Sequence, residues 1–258
     1  MGTILIEALT GTAVGVLVGL TGIGSGVLLL PILIFGFGVP PIVAVGSDAA
    51  FSALTKLGAG FIHWRQHTVS WPLVRHLAMG SIPGALGGVL LLNYLHEVYG
   101  NGLNDILKSI VGVLLVLIPL LLLFQGATSD KPALGITKLT PNSWIGVSAT
   151  GLFAGFLVGI SSVGSGTVIL VLLIPLIQCA PSVLVGTDIV HAVILTSFTG
   201  LLYARLGAVD ARLVMALLLG SIPGALIGVR LSRRLPSPWL RRVLCVTLLA
   251  TGVKILWV

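Results

Sequence analysis

The chain has 258 residues, of which 56% are hydrophobic and 8% are charged, and its mean hydropathy is +1.15. So little polar surface excludes a water-soluble globule and predicts an all-α, polytopic membrane protein. The formal net charge of +7 arises from basic residues at the ends of apolar segments, as the positive-inside rule predicts. We therefore expect the lipid bilayer, and no nucleic acid, among the partners.

Ten apolar runs follow one another, and several have the roughly 20 residues that a helix needs to cross a bilayer. They cover about residues 3–20, 24–38, 42–62, 70–94, 104–124, 143–160, 164–179, 182–203, 210–230 and 239–257. Because no basic segment precedes the first run, we expect it to belong to the mature fold and not to a cleaved signal peptide.

Two glycine-rich breaks interrupt this pattern, at residues 20–26 and again at residues 160–166. A break at membrane depth frees backbone amides that hydrocarbon cannot satisfy, so it must be buried in protein or line a wet cavity. We expect the helices to resume near Val27 and Thr167, with amides directed at the break. The alternative is a re-entrant turn that serves packing alone.

The breaks belong to an internal duplication with an offset of 140 residues. Gly80–Leu86 returns unchanged as Gly220–Leu226, and the Gly-Ser-Asp of residues 46–48 returns as the Gly-Thr-Asp of residues 186–188. The sequence therefore predicts a first transmembrane repeat at 1–124, a polar linker at 125–141 and a second repeat at 142–258. Glycines spaced by four residues in both repeats indicate close helix packing.

Loop charges favour two inverted repeats, each with a broken helix hairpin and three transmembrane helices. This topology places nine basic residues in the cytoplasm (Arg65, Arg75, Lys131, Lys138, Arg230, Arg233, Arg234, Arg241, Arg242) and four outside (Lys108, Arg205, Arg212, Lys254). Parallel repeats, in which each pair forms one broken span, would give seven inside and six outside.

The candidate substrate-binding residues at the breaks are glycines, which allow a ligand to approach the backbone, and residues with hydroxyl groups. They are Thr21, Gly22, Gly24, Ser25, Gly26, Ser161, Ser162, Gly164, Ser165 and Gly166. Two breaks at the interface of two repeats are typical of secondary transporters that bind an anion near the membrane midplane.

Among the ionisable residues in apolar runs, four stand well inside a run, where they indicate function by default. Asp48 and Asp188 occupy equivalent positions, and each could accept a proton, ligate an ion or cap a broken helix. Lys56 is expected to bind the substrate or a partner in the other half such as Asp188, because Asp48 is about 12 Å away along the helix. His191 could relay protons or bind the anion, or could be a buried structural histidine.

These motifs resemble the sulfite exporter TauE/SafE family of membrane permeases. The resemblance rests on residues 19–26 with Pro31, on residues 45–48, on residues 80–84 and on the return of all three in the second half. It implies a multi-pass carrier of the cell inner (plasma) membrane that moves small sulfur-containing anions such as sulfite, sulfonates or sulfoacetate, often by export. Asp48 and Asp188 fill a polar position of the family pattern, whereas residues 161–163 depart from it.

We therefore expect a secondary transporter that exports a small anion by alternating access, with proton coupling through Asp48 or Asp188. No zinc-binding, nucleophile-elbow or Walker motif is present, so neither an enzyme nor a cofactor is expected. A channel-like anion pathway stays open as an alternative, and so does an intramembrane enzyme built on the two aspartates. The sequence specifies no oligomeric state.

Overall fold

The computed structural model describes residues 2–21, 24–100, 103–124, 141–173, 176–177, 179 and 181–232, together with 245–246, 249–250, 252–253 and 257. Within these ranges the chain forms helices joined by turns, as the sequence predicts. Most of the last apolar run and all of residues 125–140 lie outside the described residues.

The helices follow the apolar runs closely. They are α1 (Gly2–Thr21), α2 (Gly26–Pro31) continued by a π-helical turn (Ile32–Gly36), α3 (Pro41–Arg65), α4 (Trp71–Tyr99), α5 (Leu103–Phe124), α6 (Pro141–Ser161), α7 (Thr167–Leu173), α8 (Pro181–Arg205) and α9 (Ala211–Ser232). Both breaks are confirmed as interruptions between helices, and α2 and α7 begin within one residue of the predicted positions.

Five of the described helices are long and apolar enough to cross a membrane. Their spans are Pro41–Arg65, Trp71–Tyr99, Trp144–Ser161, Val183–Arg205 and Ala211–Gly228, and shorter apolar helices run at Ile4–Leu20 and Gly26–Gly36. The chain is therefore a multi-pass, all-helical membrane protein in the part that the structure describes.

Glycine ladders hold two pairs of helices together. In the contact of α1 with α9, a Cβ atom on Gly15 would collide with the backbone carbonyl of Ser221, and one on Gly224 with that of Thr12. The contact of α4 with α6 repeats this arrangement, with Gly155 against the carbonyl of Ser81. The predicted packing role of these glycines is confirmed, since only a residue without a side chain permits such close backbones.

The main helix contacts join one half of the chain to the other. Helix α1 packs on α9, α4 packs on α6, and α3 packs on α8. At the 140-residue offset, α1 corresponds to α6, α4 to α9 and α3 to α8, so the contacts form a symmetric set. The two halves interdigitate around the α3–α8 pair and do not form separate bodies.

Candidate functional site

The repeated Gly-Ser/Thr-Asp motif uses three consecutive residues for three separate contacts. In the first copy, a Cβ atom on Gly46 would collide with the carbonyl of Ala208, so glycine admits the loop that precedes α9. The Ser47 hydroxyl accepts a hydrogen bond from the Asp210 amide at 2.9 Å, which satisfies one of the free amides at the start of α9. Asp48, the third residue, is directed to the glycine breaks.

The second copy makes the corresponding contacts with the loop that precedes α4. A Cβ atom on Gly186 would collide with the carbonyl of Thr68, and the Thr187 hydroxyl accepts a hydrogen bond from the Ser70 amide at 2.9 Å. Asp188 lies at the second break, where its Oδ2 would be 3.3 Å from a Cβ atom on Gly166. The motif thus places one aspartate at each break by fixing the helix that carries it.

Asp48 links the two breaks directly. Its side chain is fully buried, its Oδ1 accepts a hydrogen bond from the Ser25 hydroxyl at 2.8 Å, and its Oδ2 accepts one from the Ser162 hydroxyl at 2.7 Å. Because Ser25 donates its proton to Asp48, Ser52 supplies the proton of the 2.5 Å contact between the two hydroxyl groups. Both carboxylate oxygens of Asp48 therefore have donors, one from each half of the chain.

The backbones of the two breaks also touch. A Cβ atom on Gly26 would lie 2.7 Å from the carbonyl oxygen of Ser162, a distance that real side chains do not adopt. Ser162 has a φ of 55° and Gly164 a φ of 98°, so the second break contains a non-glycine residue in the left-handed region. The hydrogen bond from Ser162 to Asp48 offsets the cost of that backbone conformation.

Lys56 places a positive charge between the breaks. Its ammonium donates a hydrogen bond to the Ser165 hydroxyl at 2.7 Å and a longer one to the Ser165 carbonyl at 3.4 Å. A Cβ atom on Gly24 would lie 3.5 Å from both the Lys56 ammonium and the Ser165 hydroxyl. The partner of Lys56 in the other half is thus Ser165, and no ion pair joins Lys56 to Asp48 or Asp188 in the described chain.

Asp188 differs from Asp48 in its surroundings. It is 4% exposed, and its Oδ1 has no hydrogen-bond partner among the described residues. Ser165, which corresponds to the Ser25 that donates to Asp48, donates no hydrogen bond to Asp188 and accepts one from Lys56. Lys56 interacts electrostatically with Asp188 and with Asp48, so the three charges form one cluster.

His191 lies three residues after Asp188 on α8 and is fully buried. Its Nε2 is 2.7 Å from the Ser81 hydroxyl on α4, and its Nδ1 has no partner within the described ranges. It corresponds to Phe51 in the first half. Ser221, which corresponds to Ser81, has a buried hydroxyl without a partner in the same ranges.

The remaining predicted site residues have other positions. Ser161 donates its hydroxyl to the carbonyl of Leu157 at 2.8 Å and accepts the Val163 amide at 3.3 Å, so it serves the backbone of the break. Thr21 ends α1, and its side chain lies outside the described residues, as does the whole of Gly22.

Two hydroxyl groups at the site were missed from the sequence. Ser52 joins the Asp48 network through Ser25, and Ser81 pairs with His191. Ser81 lies in the repeated segment 80–86, and this repetition was a signal that could have identified it. The glycines of that segment, however, indicated helix packing alone. Ser52 has no polar counterpart, because Ala192 takes its place in the second half.

The charge at the breaks comes from side chains more than from helix ends. Helix α2 has six residues before its π-helical turn and α7 has seven, so each offers only a small aligned dipole. Lys56 is half-buried as a residue, whereas Asp48 and His191 are fully buried. The arrangement can bind an anion beside Lys56 and hold carboxylates behind it.

Comparison with known proteins places these features in a family. The family model described as sulfite exporter TauE/SafE matches residues 7–255. The chain belongs to the sulfite exporter TauE/SafE family. Members of this family are membrane transporters, so the chain is a membrane transporter.

Several bacterial proteins are similar over almost their whole length. The "Probable membrane transporter protein YjnA" of Bacillus subtilis (strain 168) is 38% identical over 257 residues, covering 96% of this chain and 98% of the relative. The YdhB protein of the same strain is 23% identical, with 94% and 96% covered, and a Xylella fastidiosa (strain 9a5c) relative is 26% identical, with 99% and 95% covered. No solved structure matches the chain.

Proposed function

We propose that this TauE/SafE protein is a secondary transporter that exports small sulfur-containing anions, such as sulfite, sulfonates or sulfoacetate, across the cell inner membrane. Transport proceeds by alternating access and is linked to protons. The family description supplies the sulfur chemistry, and the residues at the two breaks supply the site. The family description, an exporter, favours transport over an intramembrane enzyme built on the two aspartates.

The observation that carries this proposal is the position of the Lys56 ammonium. It lies at the meeting point of the breaks, with Gly24 on one side and Ser165 on the other. An ammonium group and a hydroxyl group are good donors to the oxygens of a sulfite or sulfonate group. The absence of a side chain on Gly24 leaves room for a small anion to approach the ammonium.

The helix pairs support alternating access. Helices α1 and α9 are joined by one glycine ladder and α4 and α6 by the other, so each pair can move as a unit. Helices α3 and α8, which carry Asp48, Lys56, Asp188 and His191, pack together between them. In an inverted repeat, rocking of such units around a fixed central site would expose the site to each side in turn.

Uptake into proteoliposomes tests this function. We expect saturable uptake of radiolabelled sulfite or sulfoacetate, faster when a pH gradient is imposed, and much slower in Lys56→Ala. Flux that rises linearly with concentration and ignores the pH gradient would instead identify a channel-like pathway. If parent protein and empty liposomes take up every sulfur anion equally slowly, the substrate assignment is wrong.

A further inference from the structure

We propose that the two equivalent aspartates have different roles: Asp188, with His191 beside it on α8, binds the coupled proton, whereas Asp48 holds the two breaks together. The proposal rests on the anion transport proposed above and names the proton site within it. It also predicts that an anion and a proton bind together, so that they move in the same direction.

Both carboxylate oxygens of Asp48 already accept hydrogen bonds. Each of its oxygens accepts a hydroxyl proton, from Ser25 in the first break and from Ser162 in the second. These hydrogen bonds favour the ionised carboxylate, and a proton added to Asp48 would have to displace one of the donors. The contact joins the breaks at the point where Gly26 meets the Ser162 carbonyl, so we assign Asp48 to structure.

Asp188 has a free position for a proton. Its Oδ1 is buried without a hydrogen-bond partner in the described chain, and so is the Nδ1 of His191. Residues three apart on a helix lie on the same face, so the two side chains are neighbours on α8. Two buried polar atoms without partners on one face of a helix are costly for a purely structural site, and they are suited to a group that gains and loses a proton.

The charges around Lys56 require such a proton when an anion binds. One ammonium faces two carboxylates, Asp188 and Asp48, which leaves a net charge of −1 if neither is protonated. An anion added to this cluster would be repelled, because unpaired like charges interact strongly away from water. Protonation of Asp188 removes one negative charge and frees the Lys56 ammonium for the anion.

Besides Asp188 itself and Lys56, Asp48 and His191, the titratable groups on α3 and α8 lie toward the ends of these helices. His63 of α3 pairs with the Thr68 hydroxyl at 2.9 Å and Arg65 lies over the Phe61 ring. On α8 the Tyr203 hydroxyl donates to the Gly159 carbonyl, and Arg205 is exposed. Helix α4 contributes the Ser81 hydroxyl, while Arg75 is exposed at its start and His76 stacks on Trp144 of α6. Helices α6 and α7 contain no Asp, Glu, Lys, Arg, His, Cys or Tyr.

The ring of His191 is held in place by its 2.7 Å contact with Ser81, and its second nitrogen, which has no partner in the described chain, is on the residue next to Asp188 on the same helix face. In the proposed cycle Asp188 takes up one proton to form a carboxylic acid when the anion binds, and it returns that proton when the anion leaves. Coupling is reciprocal, so the bound anion favours the protonated acid as much as the proton favours the anion.

The first experiment measures proton uptake when sulfoacetate is added to the purified protein in weakly buffered detergent near neutral pH. We expect the parent protein to take up about one proton per bound anion, because each assists the other. Asp188→Asn is expected to bind sulfoacetate with no proton uptake and with an affinity that no longer depends on pH.

Asp188→Glu keeps a carboxyl group and should restore the proton uptake, and Asp48→Asn should retain it. Uptake by Asp188→Asn equal to that of the parent would overturn the proposal.

A second experiment needs no anion. An infrared titration of the parent should show a protonated carboxyl band that disappears as the pH rises, and this band should be missing from Asp188→Asn and present in Asp48→Asn. Asp188→Glu keeps a carboxyl group and serves as the test if Asp188→Asn does not fold. In this variant the band should persist at a shifted frequency. A band that is missing from Asp48→Asn and present in Asp188→Asn would assign the proton to Asp48 and overturn the proposal. This result is independent of whether sulfoacetate is the substrate, so it separates failure of the proton site from failure of the proposed function.

Discussion

Asp48 and Asp188 stand at equivalent positions of α3 and α8, yet their carboxylates have different surroundings. Asp48 accepts hydrogen bonds on both oxygens, whereas one oxygen of Asp188 has no partner in the described chain. The halves also differ in residue type here, above all at Lys56, where the second half has Thr196. The Lys56 ammonium donates to the Ser165 hydroxyl, and in the described chain Ser165 donates no hydrogen bond to Asp188, whereas its counterpart Ser25 donates to Asp48. A duplicated framework has thus acquired a single asymmetric site.

The largest expected difference between the halves concerns Lys56 and Thr196. We expect Lys56→Ala to weaken sulfoacetate binding about 100-fold, or about 3 kcal/mol, because a charge-assisted hydrogen bond is lost. Thr196→Val is the matched control, because in the described chain the Thr196 hydroxyl donates to the Ala192 carbonyl of its own helix. Calorimetry measures both affinities. Equal binding by Lys56→Ala and the parent would remove Lys56 from the site.

The two aspartates should also differ in stability. Asp48→Ala removes the acceptor of two buried hydroxyl groups and should cost about 2–3 kcal/mol of unfolding free energy, which lowers the unfolding temperature in detergent. Asp188→Ala creates a similar gap but breaks no hydrogen bond to Oδ1, so its loss should be smaller. Equal losses in the two variants would mean that Asp48 does not hold the breaks together.

The glycines of the two motifs should behave alike, in contrast to the aspartates. Gly46→Ala and Gly186→Ala each bring a methyl group against a carbonyl oxygen of a neighbouring loop, and each should cost about 1–3 kcal/mol. Gly58→Ala on α3 is the control, since a Cβ atom there meets no heavy atom within 4 Å. It should stabilise the helix by up to about 1 kcal/mol. Thermal unfolding ranks the stabilities of the three variants. If only one of Gly46→Ala and Gly186→Ala loses stability, the two motifs are alike in sequence but not in packing.

The smallest expected effects come from the hydroxyl groups that accept the loop amides. Ser47→Ala and Thr187→Ala should each cost about 1 kcal/mol, because each removes the acceptor of an amide at a helix start. Thr187→Ser keeps the hydroxyl and should recover most of the loss. If Thr187→Ser is as unstable as Thr187→Ala, packing of the methyl group matters more than the hydrogen bond to Ser70.

Much of this arrangement could be predicted from the repeat. The offset of 140 identified the two breaks and the two aspartates, and the spacing of the glycines indicated close helix packing, which the structure confirms. The inverted orientation of the repeats and the assignment of the site residues stay predictions.

The contacts between the halves could not be predicted, because a repeat shows which residues correspond and not which residues meet. The sequence predicts that Lys56 binds the substrate or a partner in the other half such as Asp188, and it does not indicate the Ser165 hydroxyl that the ammonium bonds. Likewise, nothing in the spacing of Ser162 and Asp48 indicates that they touch across 114 residues. Such contacts depend on how α3 and the second break are placed by the packing of the whole bundle.

The central claim is that the two breaks meet around Lys56 and that the anion lies between them. It is tested most directly by oxidative cross-linking of Gly24→Cys with Ser165→Cys in a background that lacks Cys179 and Cys245. Because a Cβ atom on Gly24 lies 3.5 Å from the Ser165 hydroxyl, we expect a rapid cross-link, and sulfoacetate should slow its formation. Gly24→Cys paired with Ser148→Cys, near the start of α6, is the control that should not cross-link. Failure of the 24–165 pair to cross-link would contradict the meeting of the breaks, and a cross-linking rate unaffected by the anion would contradict its position there.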